Sequence, residues 1–183
     1  MQAEQTTLEG CFLIRDTIYE DERGYFFESF NAQRFYRETG INIVFVQDNL
    51  SHSIRGVLRG LHFQKGESAQ AKLVRVLKGE VLDVAVDLRK SSPTFGQYYS
   101  VILSETSHTQ LYIPRGFAHG FLVLSEVADF FYKCDNYYDK AAEGGVIYND
   151  FQINISWKMP FEDLIISSKD LELPALSSYE ALF

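Results

Sequence analysis

The sequence predicts an all-β fold, a sandwich, jelly roll or barrel with only a few short helices, and three observations lead there. Aromatic residues make up 15% of the 183 residues, with 15 Phe and 11 Tyr, and such side chains suit pleated, half-buried surfaces. Apolar positions alternate with period two, most plainly at 81–88, where Leu82, Val84, Val86 and Leu88 share one face and Asp83 and Asp87 the other. Turn residues divide the chain into about nine or ten short apolar runs, the pattern of a two-sheet β protein.

Residues 25–30 form the first strand-like run. Residues 31–39 read as a helix, because Asn31 is a good N-cap and Gly40 a good stop. Strand spacing returns at 43–47 and 57–64. Residues 71–78 alternate as 81–88 do, and Gly79-Glu80 turns one into the other. After Ser92-Pro93 come runs at 97–103, 110–113, 120–124 and 128–134, separated by Glu105-Thr106-Ser107 and Pro114-Arg115-Gly116. Glu143-Gly144-Gly145 marks a further turn, and 177–182 reads as a short tail helix. No repeat, linker or low-complexity tract divides residues 1–183, so one domain is expected.

Charge narrows the partners. With 17 Lys+Arg against 25 Asp+Glu the formal net charge is −8, which excludes a basic coat for nucleic acid or anionic membrane. No run approaches the ~18 apolar residues that span a bilayer. The opening MQAEQTTLEG has neither a basic nor an apolar signal region, and two cysteines are too few for a disulfide framework, so a cytoplasmic protein is expected. Residues 51–90 nevertheless carry eight Lys/Arg against four Asp/Glu. That local excess is either a solvated strand edge or a site for a small anion.

Among the four histidines, His108 and His52 sit in polar surroundings and read as loop residues. His62 falls mid-strand, and His119 starts a strand after a tight turn. Pro-x-Gly-x-x-His at 114–119 resembles the second motif of the cupins, small jelly-roll barrels. In the first cupin motif His62 takes the first histidine position, but Gln64 replaces the second histidine and Lys72 replaces the glutamate. Protonated lysine has no lone pair and repels a cation, so no metal is expected. Lys72 shares its face with Val74 and Val76 and points into the barrel, where a buried ammonium is costly without a partner or an anionic ligand. Arg59 has the opposite parity to His62, and reaches the same site only if Gly60 admits a bulge. Tyr132 lies on a strand, and Tyr137 and Tyr138 follow it as a candidate stacking platform.

Together these residues resemble the dTDP-4-dehydrorhamnose 3,5-epimerase family over nearly the whole chain. The resemblance is carried by Asp21-Glu22-Arg23-Gly24 with Glu28, by Gln47-Asp48-Asn49 with Ser51 and Ser53, and by 56–62. It continues through Lys72, 114–121, Tyr132-Lys133-Cys134, Asn136-Tyr137-Tyr138, Tyr148-Asn149-Asp150, Ile155-Ser156-Trp157 and Ser168-Lys169-Asp170. It implies a cupin-type jelly-roll barrel with a few short helices. The implied reaction inverts carbons 3 and 5 of a dTDP-linked 4-keto-6-deoxyglucose without cofactor. His62 is then the base, Asp170 the carboxylate that orients it, Lys72 the cation at the carbonyl oxygen and Tyr132 the acid on the opposite ring face. Arg23, Arg59 and Lys169 become diphosphate or nucleotide contacts, with His119 near the phosphates or sugar. Glu28, Gln47, Asp48, Asn49 and Glu143 become polar contacts to the nucleotide, and Tyr138 the ring that stacks on thymine. Family members are homodimers whose N-terminal segments complete the neighbour's site, so Arg23 and Glu28 would serve the partner. Where the family often has Trp and Glu, this chain has Tyr148 and Ser168. Two rival readings remain: a single-carbon epimerase or ketoisomerase on a related nucleotide sugar, and a sugar-binding jelly roll without activity.

Overall fold

The structure is a computed structural model and describes residues 1–179. Two antiparallel sheets face each other. In spatial order the first contains β1 (Gln2–Gln5), β2 (Phe12–Arg15), β10 (Thr109–Ile113), β7 (Lys72–Lys78), β12 (Val127–Cys134) and β5 (Gln47–Ile54). The second contains β13 (Glu143–Gly145), β6 (Val57–Gln64), β11 (Phe117–Val123), β8 (Glu80–Asp87) and β9 (Tyr98–Ser104), with β14 (Ile165–Ile166) parallel to β6. From β5 to β8, and again from β9 to β12, the chain crosses from sheet to sheet at every step, which is jelly-roll connectivity.

Period two explains the layers. Val74, Val76 and Phe130 of the first sheet meet Val81, Ala85, Phe121 and Val123 of the second in the central core. The outer face of the second sheet (Leu58, Leu82, Val84, Val86) is covered by Val146, Ile153, Ile155 and Trp157 from the C-terminal segment. The outer face of the first (Ile14, Leu73, Tyr112) is covered by Phe35 of α1 (Ala32–Thr39), with Ile41, Ile43 and Phe45 packed beside it. Strand β8 is therefore covered on both sides, and Asp83 and Asp87 are as buried as the Leu/Val face.

The caps of α1 are as expected: Asn31 Oδ1 accepts the Arg34 N–H at 3.1 Å, and Gly40 stands at φ +74°. Other elements differ from the sequence reading. Residues 41–46 are not a strand; their apolar side chains cap the outer face, and pairing with β12 begins only at Gln47. The run expected at 25–30 is instead the second arm of a hairpin, β3 (Tyr19–Asp21) and β4 (Gly24–Phe26), that pairs only with itself. His52 lies within β5 rather than in a loop, with Nδ1 2.5 Å from Asp129 on neighbouring β12. His119 lies inside β11 rather than at its start. Strands β1 and β2 and helix α2 (Ser168–Leu171) are additional to the expected elements. Of the expected tail helix, Leu176–Ser178 form one 3₁₀ turn, and 180–182 lie outside the described residues.

Among the described residues no helix is long and apolar enough to cross a membrane. Cys11 and Cys134 are free and buried.

Candidate active site

The site is built where β6 and β11 run side by side. His62 and His119 are direct cross-strand partners, yet Phe121 pairs with Arg59, so three steps along β6 answer two along β11. The extra residue is a β-bulge at Gly60-Leu61. It turns Arg59 and His62, of opposite parity, toward one cavity. Gly60 has φ +124°, and a Cβ there would stand 2.6 Å from Gly120 Cα, so the two glycines let the strands approach as they do.

The cavity has a volume of about 260 Å³ and lies between the sheets. His62, Lys72, His119, Arg59 and Tyr132 converge on it, with Phe121 and Phe130 as an apolar wall. The size suits a single sugar ring, with a larger ligand extending out of the mouth.

His62 is held from behind. Its Nε2 lies 2.7 Å from Asp170 Oδ1, and Asp170 Oδ2 accepts the Gly60 N–H at 3.3 Å. Asp170 reaches this point because Ser167 caps the short helix α2 against the start of β6. Burial pushes the Asp170 carboxyl up, but the bond and charge of His62 with the Gly60 N–H outweigh it and hold it below the ordinary range. An ionised carboxylate can only accept, so His62 Nε2 carries a hydrogen, and whenever the ring is neutral the lone pair is on Nδ1.

Lys72 points inward from β7, with Nζ 5.7 Å from the centre of the Tyr132 ring. It has no ion pair among the described residues. Burial pulls its pKa down, and the acidic groups of Cys134, Asp83 and Glu143 oppose that. For Tyr132, burial raises the phenol pKa, so the hydroxyl stays protonated and available as a donor.

His119 stands deeper than expected. It is 7% exposed, with Nε2 2.9 Å from Asp83 Oδ2, and it lines the cavity beside His62. Sequence reasoning missed Asp83. Two aspartates within the apolar run 81–88 were the available signal, because a strand covered on both faces turns even its polar side inward. Burial lowers the His119 pKa from its ordinary 6.5, with Asp83 opposing. The unfolded chain then binds more protons just below pH 6.5, and the stability of neutral His119 is lost as pH falls through that window. We expect the urea midpoint to fall between pH 7.5 and 5.5, and His119→Gln to flatten that slope. An equal slope in the variant would assign the effect to other groups.

Gln47, Tyr138, Glu143 and Lys169 stand outside the cavity lining, with Glu143 within electrostatic reach of His62 and Lys72. Tyr138 Oη donates to Glu143 Oε2 at 2.9 Å, and Lys169 Nζ lies 2.5 Å from Glu143 Oε1. Burial pushes the Glu143 carboxyl up, but the bonds from Lys169 and Tyr138 prevail and hold it low. Gln47 Oε1 accepts the Tyr138 N–H at 3.0 Å, and Gln47 Nε2 donates to Asn49 Oδ1 at 3.1 Å. Arg59 Nε donates to Ser53 Oγ at 3.1 Å. Arg59 and His62 also border a second recess of about 410 Å³ that reaches Ser167 and Lys169.

Three expected contacts stand elsewhere. Asp48 falls on the outer face of β5 by simple alternation, where Lys133 Nζ donates to it at 2.9 Å, so it does not face the cavity. Arg23 sits at the turn of the β3–β4 hairpin, bonded to Asp21, and Glu28 pairs with Arg34 at 3.3 Å. Neither lines the cavity of its own chain. Gln64 also turns aside, its Oε1 accepting the Asp139 N–H at 2.9 Å. Of the four cupin metal positions, His62, Lys72 and His119 thus share the cavity, and the ammonium among them is a poor neighbour for a cation.

Residues 5–178 match the family model described as dTDP-4-dehydrorhamnose 3,5-epimerase. The chain belongs to the dTDP-4-dehydrorhamnose 3,5-epimerase family. It is 52% identical to the enzyme of that name from Salmonella typhimurium over 173 residues, covering 94% of this chain and 93% of the other. The crystal structure of the Elizabethkingia anophelis enzyme superposes with a TM-score of 0.95 at 55% identity, covering 97% of each chain. That of Legionella pneumophila, in complex with dTDP-4-keto-L-rhamnose, gives 0.92 at 49% identity, covering 96% of this chain and 93% of the other. The protein is accordingly an isomerase of this family, with its cupin-type jelly roll.

Within this dTDP-4-dehydrorhamnose 3,5-epimerase family member, some motif residues hold structure. Asp150 accepts the N–H groups of Ile153 and Leu176 at 3.0 and 2.8 Å, and the Tyr148 carbonyl accepts the Trp157 indole N–H at 2.8 Å. These bonds hold the C-terminal cover of the second sheet together from within.

Proposed function

We propose that the protein converts dTDP-4-dehydro-6-deoxy-D-glucose into dTDP-4-dehydro-L-rhamnose by inverting carbons 3 and 5 in one site. The observation that carries this is the convergence of a carboxylate-backed histidine, an inward lysine and a buried tyrosine on one sugar-sized cavity. A hydrogen next to a ketone leaves as a proton when the enolate oxygen is stabilised. His62 Nδ1 takes that proton, and Asp170 stabilises the imidazolium that results. The electron pair of the broken C–H bond moves to the carbonyl oxygen, where the Lys72 ammonium meets the new charge in a partly dry site, worth several kcal/mol. Tyr132 returns a proton from the other face, and the carbon is inverted. Exchange with solvent then restores His62 and Tyr132 to their resting forms.

Arg59 and Lys169 bind the diphosphate, and Tyr138 stacks on the base, with Gln47, Asn49 and Glu143 around it. The guanidinium of Arg59 can meet two phosphate oxygens at once. The working form is a homodimer. The β3–β4 hairpin supports this: Tyr19, Tyr25 and Phe26 are 60%, 60% and 71% exposed, and the hairpin root is held firmly. Phe27 lies over Arg75 at 4.7 Å, and Gln110 Nε2 donates to the Ser29 carbonyl at 2.8 Å. An exposed apolar arm of this kind buries its surface on a second copy, carrying Arg23 and Glu28 to the neighbour's site. We place the enzyme in the cytoplasm, as one catalytic unit over residues 1–183.

Incubation with dTDP-4-keto-6-deoxyglucose in heavy water, followed by NMR, tests the reading. Deuterium should enter at carbons 3 and 5 of an inverted product. Label at one carbon alone would select the single-carbon epimerase, and none at either would exclude the enzyme reading.

A further inference from the structure

One residue of the cavity wall carries a buried hydroxyl without a protein partner, which rotation about its Cα–Cβ bond turns toward a ligand. Ser51 lies on β5 between Asn49 and Ser53, on the inward face of the strand. Its Oγ is shielded from solvent and makes no hydrogen bond. Three other buried side-chain atoms also lack a bond, but each belongs to a group that is paired elsewhere. Glu28 accepts from Asn31, Arg75 donates to Asp16, and Asp83 is bonded to His119. The Ser51 hydroxyl is the side chain's only polar atom, so among the described residues it alone is left with nothing. Leaving such a group unpaired is costly, and native structures rarely do so without reason.

Its neighbours indicate what completes it. Ser51 is the cross-strand partner of Phe130, one inward position from the pair Asn49–Tyr132 and one from Ser53, which holds Arg59. It therefore stands between the groups assigned to proton transfer and the arginine assigned to diphosphate. In a 4-keto-6-deoxyhexose joined to diphosphate through carbon 1, carbon 2 lies between the diphosphate and the reacting carbon 3. It also bears the one hydroxyl on a carbon that does not react.

We propose that Ser51 is a substrate-binding residue whose hydroxyl bonds the carbon-2 hydroxyl of the sugar. The inference rests on the nucleotide-sugar reading above. The bond is made alike in ground and transition states, so it acts on KM rather than on kcat.

Ser51→Ala tests this, because it breaks no protein hydrogen bond and removes an unpaired group. Melting temperature should stay the same or rise. KM for dTDP-4-keto-6-deoxyglucose should increase roughly five- to tenfold, the worth of one neutral hydrogen bond, with kcat within about twofold. The 2-deoxy analogue should show the same KM with both proteins, and the Kd of dTDP by calorimetry should not change. An unchanged KM for the parent sugar would overturn the assignment. So would equal weakening of dTDP, which marks a nucleotide contact, or a clear fall in melting temperature, which marks a packing role. Absence of turnover in the wild type would instead count against the epimerase reading itself.

Discussion

Replacing His62 with alanine is expected to lower epimerisation about 10²–10⁴-fold, the range for a positioned general base, and to remove solvent deuterium from both carbons. In the proposed mechanism one base serves both positions. Nε2 is committed to Asp170 at 2.7 Å, leaving Nδ1 free, and His119 across the strand pair is engaged with Asp83. NMR of the sugar in heavy water reads the result. Substantial label at either carbon in His62→Ala would mean that another group removes that proton. Folding should survive, since His62 is 31% exposed at its side chain and belongs to no core cluster. The vacated Asp170 then faces the cavity, so added imidazole should restore part of the activity.

Tyr132→Phe is the second large effect, and it separates two events that His62→Ala removes together. In the proposed mechanism the phenol serves only to return a proton to the face opposite the base. Its loss should cut inverted product by about 10²–10⁴-fold while exchange with retention continues through His62. The ring remains to pack against Phe130, 6.1 Å away between centres, so the cavity wall keeps its shape. Product configuration and deuterium content, measured on one sample, check this. Full inversion by Tyr132→Phe would take the acid role from this residue.

Much of the chemistry is legible in the order of the residues alone. Parity turns Lys72 inward beside Val74 and Val76, and the cost of a buried ammonium marks it as functional. The substitution of Gln64 and Lys72 at cupin metal positions argues against a metal site on the chemistry of the side chains. Asp170 is legible only through resemblance, because nothing local links it to His62, 108 residues away. Asp48 misleads for the converse reason. It stands within a motif whose neighbours face the cavity, and strict alternation sends it to Lys133 instead. Ser51 stands in the same motif but draws no role from it, since a hydroxyl without a partner is visible only when its surroundings are.

The period-two strands, the capped helix α1 and the inward lysine are readable in the chain alone, because these depend on residues adjacent along it. That Arg59 and His62 share a cavity, that Asp83 holds His119 and that Ser51 is unpaired emerges only when the strands are assembled. Those facts depend on a bulge, on a strand covered on both faces and on cross-strand neighbours. Each is set by which strand lies alongside, and register between distant segments is a property of packing that no local pattern encodes.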